Sequence, residues 1–133
     1  MADADNLKKF NDIYGHHVGD EYLKGIARLF QSAVGENSVC ARLGGDEFII
    51  FLYGFSSMQE LQEKACDIRA KCGQPFISQQ IDLEDKFQFS MGTAFYPMDG
   101  TDFHLLMRVA DEKMYQEKKK RKFSGGGIII NEN

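Results

Sequence analysis

The sequence predicts an α+β fold, an antiparallel sheet with helices packed on it. Helical and extended periodicities alternate along the chain, and two pairs of short apolar runs are each joined by a turn-forming segment. Tight hairpins pair their strands antiparallel, which sets this pattern apart from a crossover-linked parallel sheet. With 133 residues, 43% of them hydrophobic and 27% charged, the chain reads as one domain with enough length to bury a core.

The elements follow in order. From Asp20 to Val34, apolar residues fall at Tyr22, Leu23, Ile26, Ala27, Leu29, Phe30 and Ala33, which is helical spacing. Gly19-Asp20 offers the start of this helix and Gly35 its stop. Val39 to Leu43 and Phe48 to Tyr53 flank Gly44-Gly45-Asp46-Glu47, the pattern of a β-hairpin. Phe48 to Leu52 is continuously apolar, so burial on both faces is expected there. Ser57 and Glu60 form a capping box that opens a helix running to about Cys72, before Gly73 and Pro75. Phe76 to Leu83 and Phe87 to Tyr96 read as a second hairpin, with Phe87, Phe89 and Met91 alternating against Gln88, Ser90 and Gly92. Thr101 or Asp102 then starts a helix through Leu105, Leu106, Val109, Ala110, Met114 and Tyr115, ending in the basic run Lys118 to Lys122. Ile128-Ile129-Ile130, after three glycines, has the look of a short last strand.

Composition narrows the function. A formal net charge of -4 argues against a general nucleic-acid binder, so any phosphate chemistry must be local, carried by a metal or a few placed cations. Cys40, Cys66 and Cys72 are odd in number and fit neither a zinc knuckle nor a CxxC pair; buried free thiols in a reducing compartment are expected. No apolar run has the length of a membrane span and no leader is visible, so the expectation is a cytoplasmic chain without membrane contact, compatible with a membrane-anchored parent.

Two acidic stretches carry the chemistry. Asp3 and Asp5 alternate at the opening, with a backbone carbonyl between them, an arrangement that suits a hard cation such as Mg²⁺ but that, taken alone, is better read as a solvated acidic loop before a helix start. Asn11 and Asp20 offer donor and acceptor groups, or else a turn residue and a helix cap. In the hairpin turn, Gly44 and Gly45 let backbone approach an anionic ligand, and Asp46 and Glu47 add two carboxylates. A turn needing only to reverse direction more usually takes Asn-Gly or Asp-Gly, which favours a metal held over the sheet.

Together these stretches resemble a known family. Arg42-Leu-Gly-Gly-Asp-Glu-Phe48 is similar to the signature of the GGDEF family, the diguanylate cyclases, and the stretch from Asp3 to Asp20 is similar to its upstream motif. Ser90-Met-Gly-Thr-Ala and the segment Ala110 to Lys118 match its later strand and final helix, so the resemblance covers nearly the whole chain. It implies a ferredoxin-like, nucleotide-cyclase-like sandwich that condenses two GTP into cyclic di-GMP with loss of two pyrophosphates. It also implies Mg²⁺ (or Mn²⁺) on Asp3 and Asp46 with the Ala4 carbonyl assisting. Asn11 and Asp20 would read guanine, with His16 in the same motif. Lys8 would face the β and γ phosphates, with Lys118 as a second contact and Arg121 or Lys122 as a further cation. Gly44 and Gly45 would admit the nucleotide, and Glu47 would support the metal or the turn. A homodimer is implied for catalysis, with sensory or regulatory domains in the parent protein.

The departures are specific. Leu7 stands where the family usually has phenylalanine, an apolar exchange. The Arg-x-x-Asp of the family's inhibitory product site falls on Gly35 and Ser38, so feedback through it is not expected. Only Met1 and Ala2 precede Asp3, so the resemblance implies a domain over residues 1–133 that lacks the usual N-terminal helix and most of the first strand. The alternative is therefore a non-catalytic, truncated or degenerate GTP-binding signalling module. Two further readings are a cyclase for another nucleotide, disfavoured by Asp20, and a purely protein-binding domain.

Overall fold

The computed structural model describes residues 1–121. The elements are β1 (Ala2–Ala4), α1 (Leu7–Tyr14), α2 (His16–Val34), β2 (Ser38–Gly44), β3 (Glu47–Leu52), α3 (Met58–Arg69), β4 (Pro75–Ile77), β5 (Glu84–Lys86), β6 (Phe89–Met91) and α4 (Phe103–Arg121). Four strands form a sheet in the order β2-β3-β1-β6, and β4 pairs with β5 in a separate two-stranded sheet. The α+β class with an antiparallel sheet and helices therefore holds. The chain divides into two compact units, one of Ala4–Phe89 and one of Met1–Asp3 with the segment from Ser90 onward.

In the Ala4–Phe89 unit, α2 supplies the core. Val18, Tyr22, Leu23, Ile26, Phe30 and Val34 recur at helical spacing and are buried. Phe30 packs edge-on to Phe48 and Phe89, while Tyr22 meets Phe10, Phe76 and Phe87 with ring centroids 4.5 to 5.2 Å apart. The hairpin β2–β3 is antiparallel, with Val39 opposite Phe51 and a register shift between Arg42 and Gly44 where the glycine turn begins. Backbone bonds from Ala4 N–H to the Asp46 carbonyl (2.9 Å) and from Asp5 N–H to the Gln88 carbonyl (3.0 Å) tie the end of β1 into this unit. The capping box is real: Glu60 N–H donates to Ser57 Oγ at 3.2 Å and opens α3.

In the other unit, Met1 and Gly92 exchange both backbone bonds, at 3.1 and 2.9 Å, as a hydrogen-bonded antiparallel pair does. Met91 N–H donates to Glu117 Oε2 of α4 at 2.8 Å, and Ala110 and Met114 of that helix are buried. Asp102 opens α4 by accepting the Leu105 N–H at 2.9 Å.

Several expectations are corrected. The region before β2 holds two helices, because Leu7–Tyr14 forms α1, and α2 begins at His16 behind Gly15 instead of at Asp20. Asn11 therefore lies within a helix, and Asp20 sits inside α2 instead of capping it. The partner of β4 is 84–86, not the strand from Phe87, and β6 joins the four-stranded sheet. Only Phe48 of its apolar run is buried; Phe51 is 48% exposed, because it pairs with Val39 of the edge strand β2, itself 54% exposed. The cysteines are free as expected, but Cys66 is exposed and Cys40 and Cys72 are half-buried. The strand expected at Ile128-Ile129-Ile130, and Lys122, lie outside the described residues.

Candidate nucleotide site

Two packed helices and the β2–β3 turn carry most of the candidate residues. Lys8 and Asn11 are three residues apart on α1, and His16 and Asp20 four apart on α2, so each pair shares a helix face. The two faces meet at Asn11: its Oδ1 lies against Gly19, the residue before Asp20, and is buried without a hydrogen-bond partner. Lys8, His16 and Asp20 are exposed.

The glycine turn is open and tied down at two points. Gly44 and Gly45 have φ of 153° and 48°, and nothing lies within 4 Å of the position a Cβ would take on either. Arg42 Nε donates to the Gly45 carbonyl at 2.8 Å, and the Asp46 carbonyl accepts Ala4 N–H. A cavity of about 400 Å³ runs between α2 and the hairpin, with Asp20, Leu23 and Lys24 in one wall and Cys40, Arg42 and Phe48 in the other. That volume suits a small-molecule ligand. Burial pushes the Cys40 thiol up, which keeps it neutral.

A further cluster braces the start of α2. Gln79 N–H and Ser78 Oγ donate to the two oxygens of Glu21 at 2.6 and 2.7 Å, and Gln80 Nε2 donates to the His17 carbonyl at 3.0 Å. The Gln79 amide, then the Ser78 hydroxyl, hold the Glu21 carboxyl below its usual range. Next to it, burial pushes the Tyr22 phenol up to about 12. Gln88 N–H donates to that phenol oxygen at 2.7 Å, and its O–H donates to the Lys86 carbonyl at 3.3 Å.

In the Met1–Asp3 unit, Asp3 is 7% exposed and its Oδ1 lies 3.1 Å from Lys118 Nζ. Two residues expected at phosphates or metal are thus brought together. Arg121 faces Glu117 at 3.7 Å, along α4. Among the described residues, no three His, Cys, Asp or Glu side chains are grouped to hold a metal ion. Glu21 and the Arg42 tie were not singled out from the sequence, and Gly19 was read only as the start of a helix, whereas it lies inside α2.

Residues 1–123 match the family described as "Diguanylate cyclase, GGDEF domain". The chain belongs to the GGDEF domain family. Its members typically make cyclic di-GMP from GTP, work as dimers and depend on a divalent metal. The chain is 40% identical over 123 residues to the signaling protein YkoW of Bacillus subtilis, covering 92% of this chain and 15% of that protein. It is 31% identical over 120 residues to the diguanylate cyclase DosC of Escherichia coli K12, covering 90% and 26%. The GGDEF domain of YfiN (TpbB) from Pseudomonas aeruginosa superposes with a TM-score of 0.82 at 31% identity, covering 90% of this chain and 73% of that one. The chain thus spans 15% and 26% of the two curated relatives, and relatives include phosphodiesterases as well as cyclases by name. No described helix is long and apolar enough to cross a membrane.

Proposed function

We propose that this GGDEF domain is a diguanylate cyclase that condenses two GTP into cyclic di-GMP and releases two pyrophosphates. The observation that carries this reading is the cavity shared by Asp20 and Arg42, because Arg42 is bonded to Gly45 of the glycine turn. It connects a carboxylate able to take two N–H bonds from a guanine edge to a turn whose bare backbone can approach phosphate. Asn11, which lies against Gly19, completes the base-reading pair with Asp20, and His16 is on the same helix face as Asp20. Lys8 and Lys118 are the cations for the phosphates, joined by Arg121 or Lys122.

Asp3, Ala4 and Asp46 offer only oxygen donors, two carboxylates and a carbonyl, the donor chemistry of Mg²⁺ or Mn²⁺. The burial of Asp3 fits a carboxylate kept to meet positive charge, as it already does with Lys118. When bound, the cation neutralises phosphate charge and polarises the attacking hydroxyl. The residues do the rest. Asn11 and Asp20 fix the base, and the glycine turn and lysines hold the triphosphate. The 3′-hydroxyl of one GTP then attacks the α-phosphorus of the other, in line with departing pyrophosphate. In this reading Asp46 is the candidate to take the hydroxyl proton, and Glu47 supports the turn.

Incubating the protein with GTP and Mg²⁺ and chromatographing the nucleotides tests this. Cyclic di-GMP is expected from the native chain and none from Asp46→Ala. GTP bound but never converted would overturn the enzyme reading and leave a GTP-binding module.

A further inference from the structure

We infer that Gly19 is a positioning residue for guanine recognition: the absence of its side chain is what seats the Asn11 amide at the position directly before Asp20. This rests on the reading of Asn11 and Asp20 as the base-reading pair. The observation is steric. A Cβ built on Gly19 would fall on Asn11 Oδ1 and lie 2.8 Å from Asn11 Cγ and 3.4 Å from Nδ2. No atom of any other residue stands among those nearest contacts. The whole amide therefore lies across the α-carbon of Gly19, in space that any other residue would occupy.

Backbone conformation does not explain the glycine. Gly19 is not among the glycines with positive φ, so its backbone is one alanine adopts freely. It is buried in the interior of α2, where glycine is a poor helix former. A glycine that weakens its helix and is not needed for a turn is explained by close approach, and here the approaching group is one side chain. That side chain has a buried oxygen with no hydrogen-bond partner, an arrangement that costs free energy in the free protein. With Oδ1 pressed on Gly19, the Asn11 amide is held against the residue that directly precedes Asp20, whose side chain is exposed. Together Asn11 and Asp20 present a donor and acceptor to the edge of a base, and preorganisation of this kind is what discrimination between bases needs.

Substituting Gly19→Ala forces the amide to rotate away, since the far end of a side chain yields where backbone would not. The helix itself should gain. The consequence falls on guanine selectivity and spares contacts common to all nucleoside triphosphates.

The test is a double-mutant cycle on the intact chain, using Gly19→Ala, Asn11→Ala and the pair. Non-hydrolysable GTP and ATP analogues are titrated calorimetrically, with thermal melts as the folding control. The expected result is about tenfold weaker GTP binding for each single variant, the worth of one hydrogen bond, with ATP binding unchanged and Tm unchanged or raised for Gly19→Ala. The double variant should bind GTP no worse than Asn11→Ala, because the new methyl enters space the amide has left. Gly19→Ala binding GTP like the native chain, or losses that multiply in the double variant, would overturn the inference. A native chain with no preference for GTP overturns the guanine reading instead. In that case the seat is still tested by the Asn11 side-chain amide resonances, which must move in Gly19→Ala.

Discussion

Arg42 and Tyr22 show how a single side chain can fix a stretch of backbone, Arg42 at the Gly45 carbonyl and Tyr22 at the Gln88 N–H. Arg42 is exposed, so its charge is well solvated, yet its Nε is committed to the Gly45 carbonyl at 2.8 Å. Removing it frees the turn while leaving the core intact. Arg42→Ala is expected to cut turnover roughly tenfold with little change in Tm, as loss of one positioning hydrogen bond does. Arg42→Lys should not restore it, because an ammonium cannot reproduce the planar Nε–H geometry. Full activity in Arg42→Ala would dismiss the tie as incidental.

Tyr22 gives a pH dependence with a definite sign. Its folded pKa is raised to about 12, chiefly by burial, so the folded state holds the phenol proton more tightly than the unfolded state. Stability is then fully present below the unfolded value near 10 and drains away as pH climbs towards 12. The loss amounts to up to roughly 3 kcal/mol. Urea melts between pH 8 and 12 should show this slope, and Tyr22→Phe should flatten it while starting lower, having lost the bond from Gln88 N–H.

Among the elements, what a collision meets decides its cost. Gly92 follows β6, and a Cβ there would strike the Ala110 carbonyl and the Met114 amide of α4 and lie 2.9 Å from the Lys113 carbonyl carbon. These are backbone atoms of a regular helix and cannot rotate away, unlike the Asn11 amide over Gly19. Gly92→Ala should therefore cost about 3 kcal/mol in urea unfolding. Ser57→Ala, which removes only the bond that starts α3, should cost about 1 kcal/mol.

The same distinction explains what the sequence disclosed. The capping box and the glycine turn were legible because both are made by residues three or four apart. α1 was not, since Phe10 gains its place by stacking on Tyr22 and Phe76, partners far along the chain. The alternation of Phe87, Phe89 and Met91 suggested one long two-faced strand, but Ser90 between them is fully buried and β4 finds its partner earlier, at 84–86. Strand pairing is a tertiary choice that periodicity cannot rank. At the site, the acids, lysines and glycines of the turn could be read as types. The seat of Asn11 on Gly19 and the tie of Arg42 are three-dimensional facts.

For the molecule as a whole, the proposed product would dictate the assembly. Cyclic di-GMP contains two guanosines in equivalent linkages, while one chain carries one Asn11–Asp20 pair and one glycine turn. Two copies facing each other across a twofold axis would supply both nucleophiles and both α-phosphates. Each ring closure then needs two bonds, one made in each half, and a pair with one disabled half should stop after the first. Mixing Asp46→Ala into native protein measures this. With random pairing and a threefold excess of the variant, cyclic product per native chain should fall to about a quarter, and linear dinucleotide should accumulate in its place. The measurement belongs at concentrations where rate has become proportional to protein, so that pairing is complete. A rate per native chain untouched by the variant would mean that one chain suffices, and the twofold assembly would be wrong.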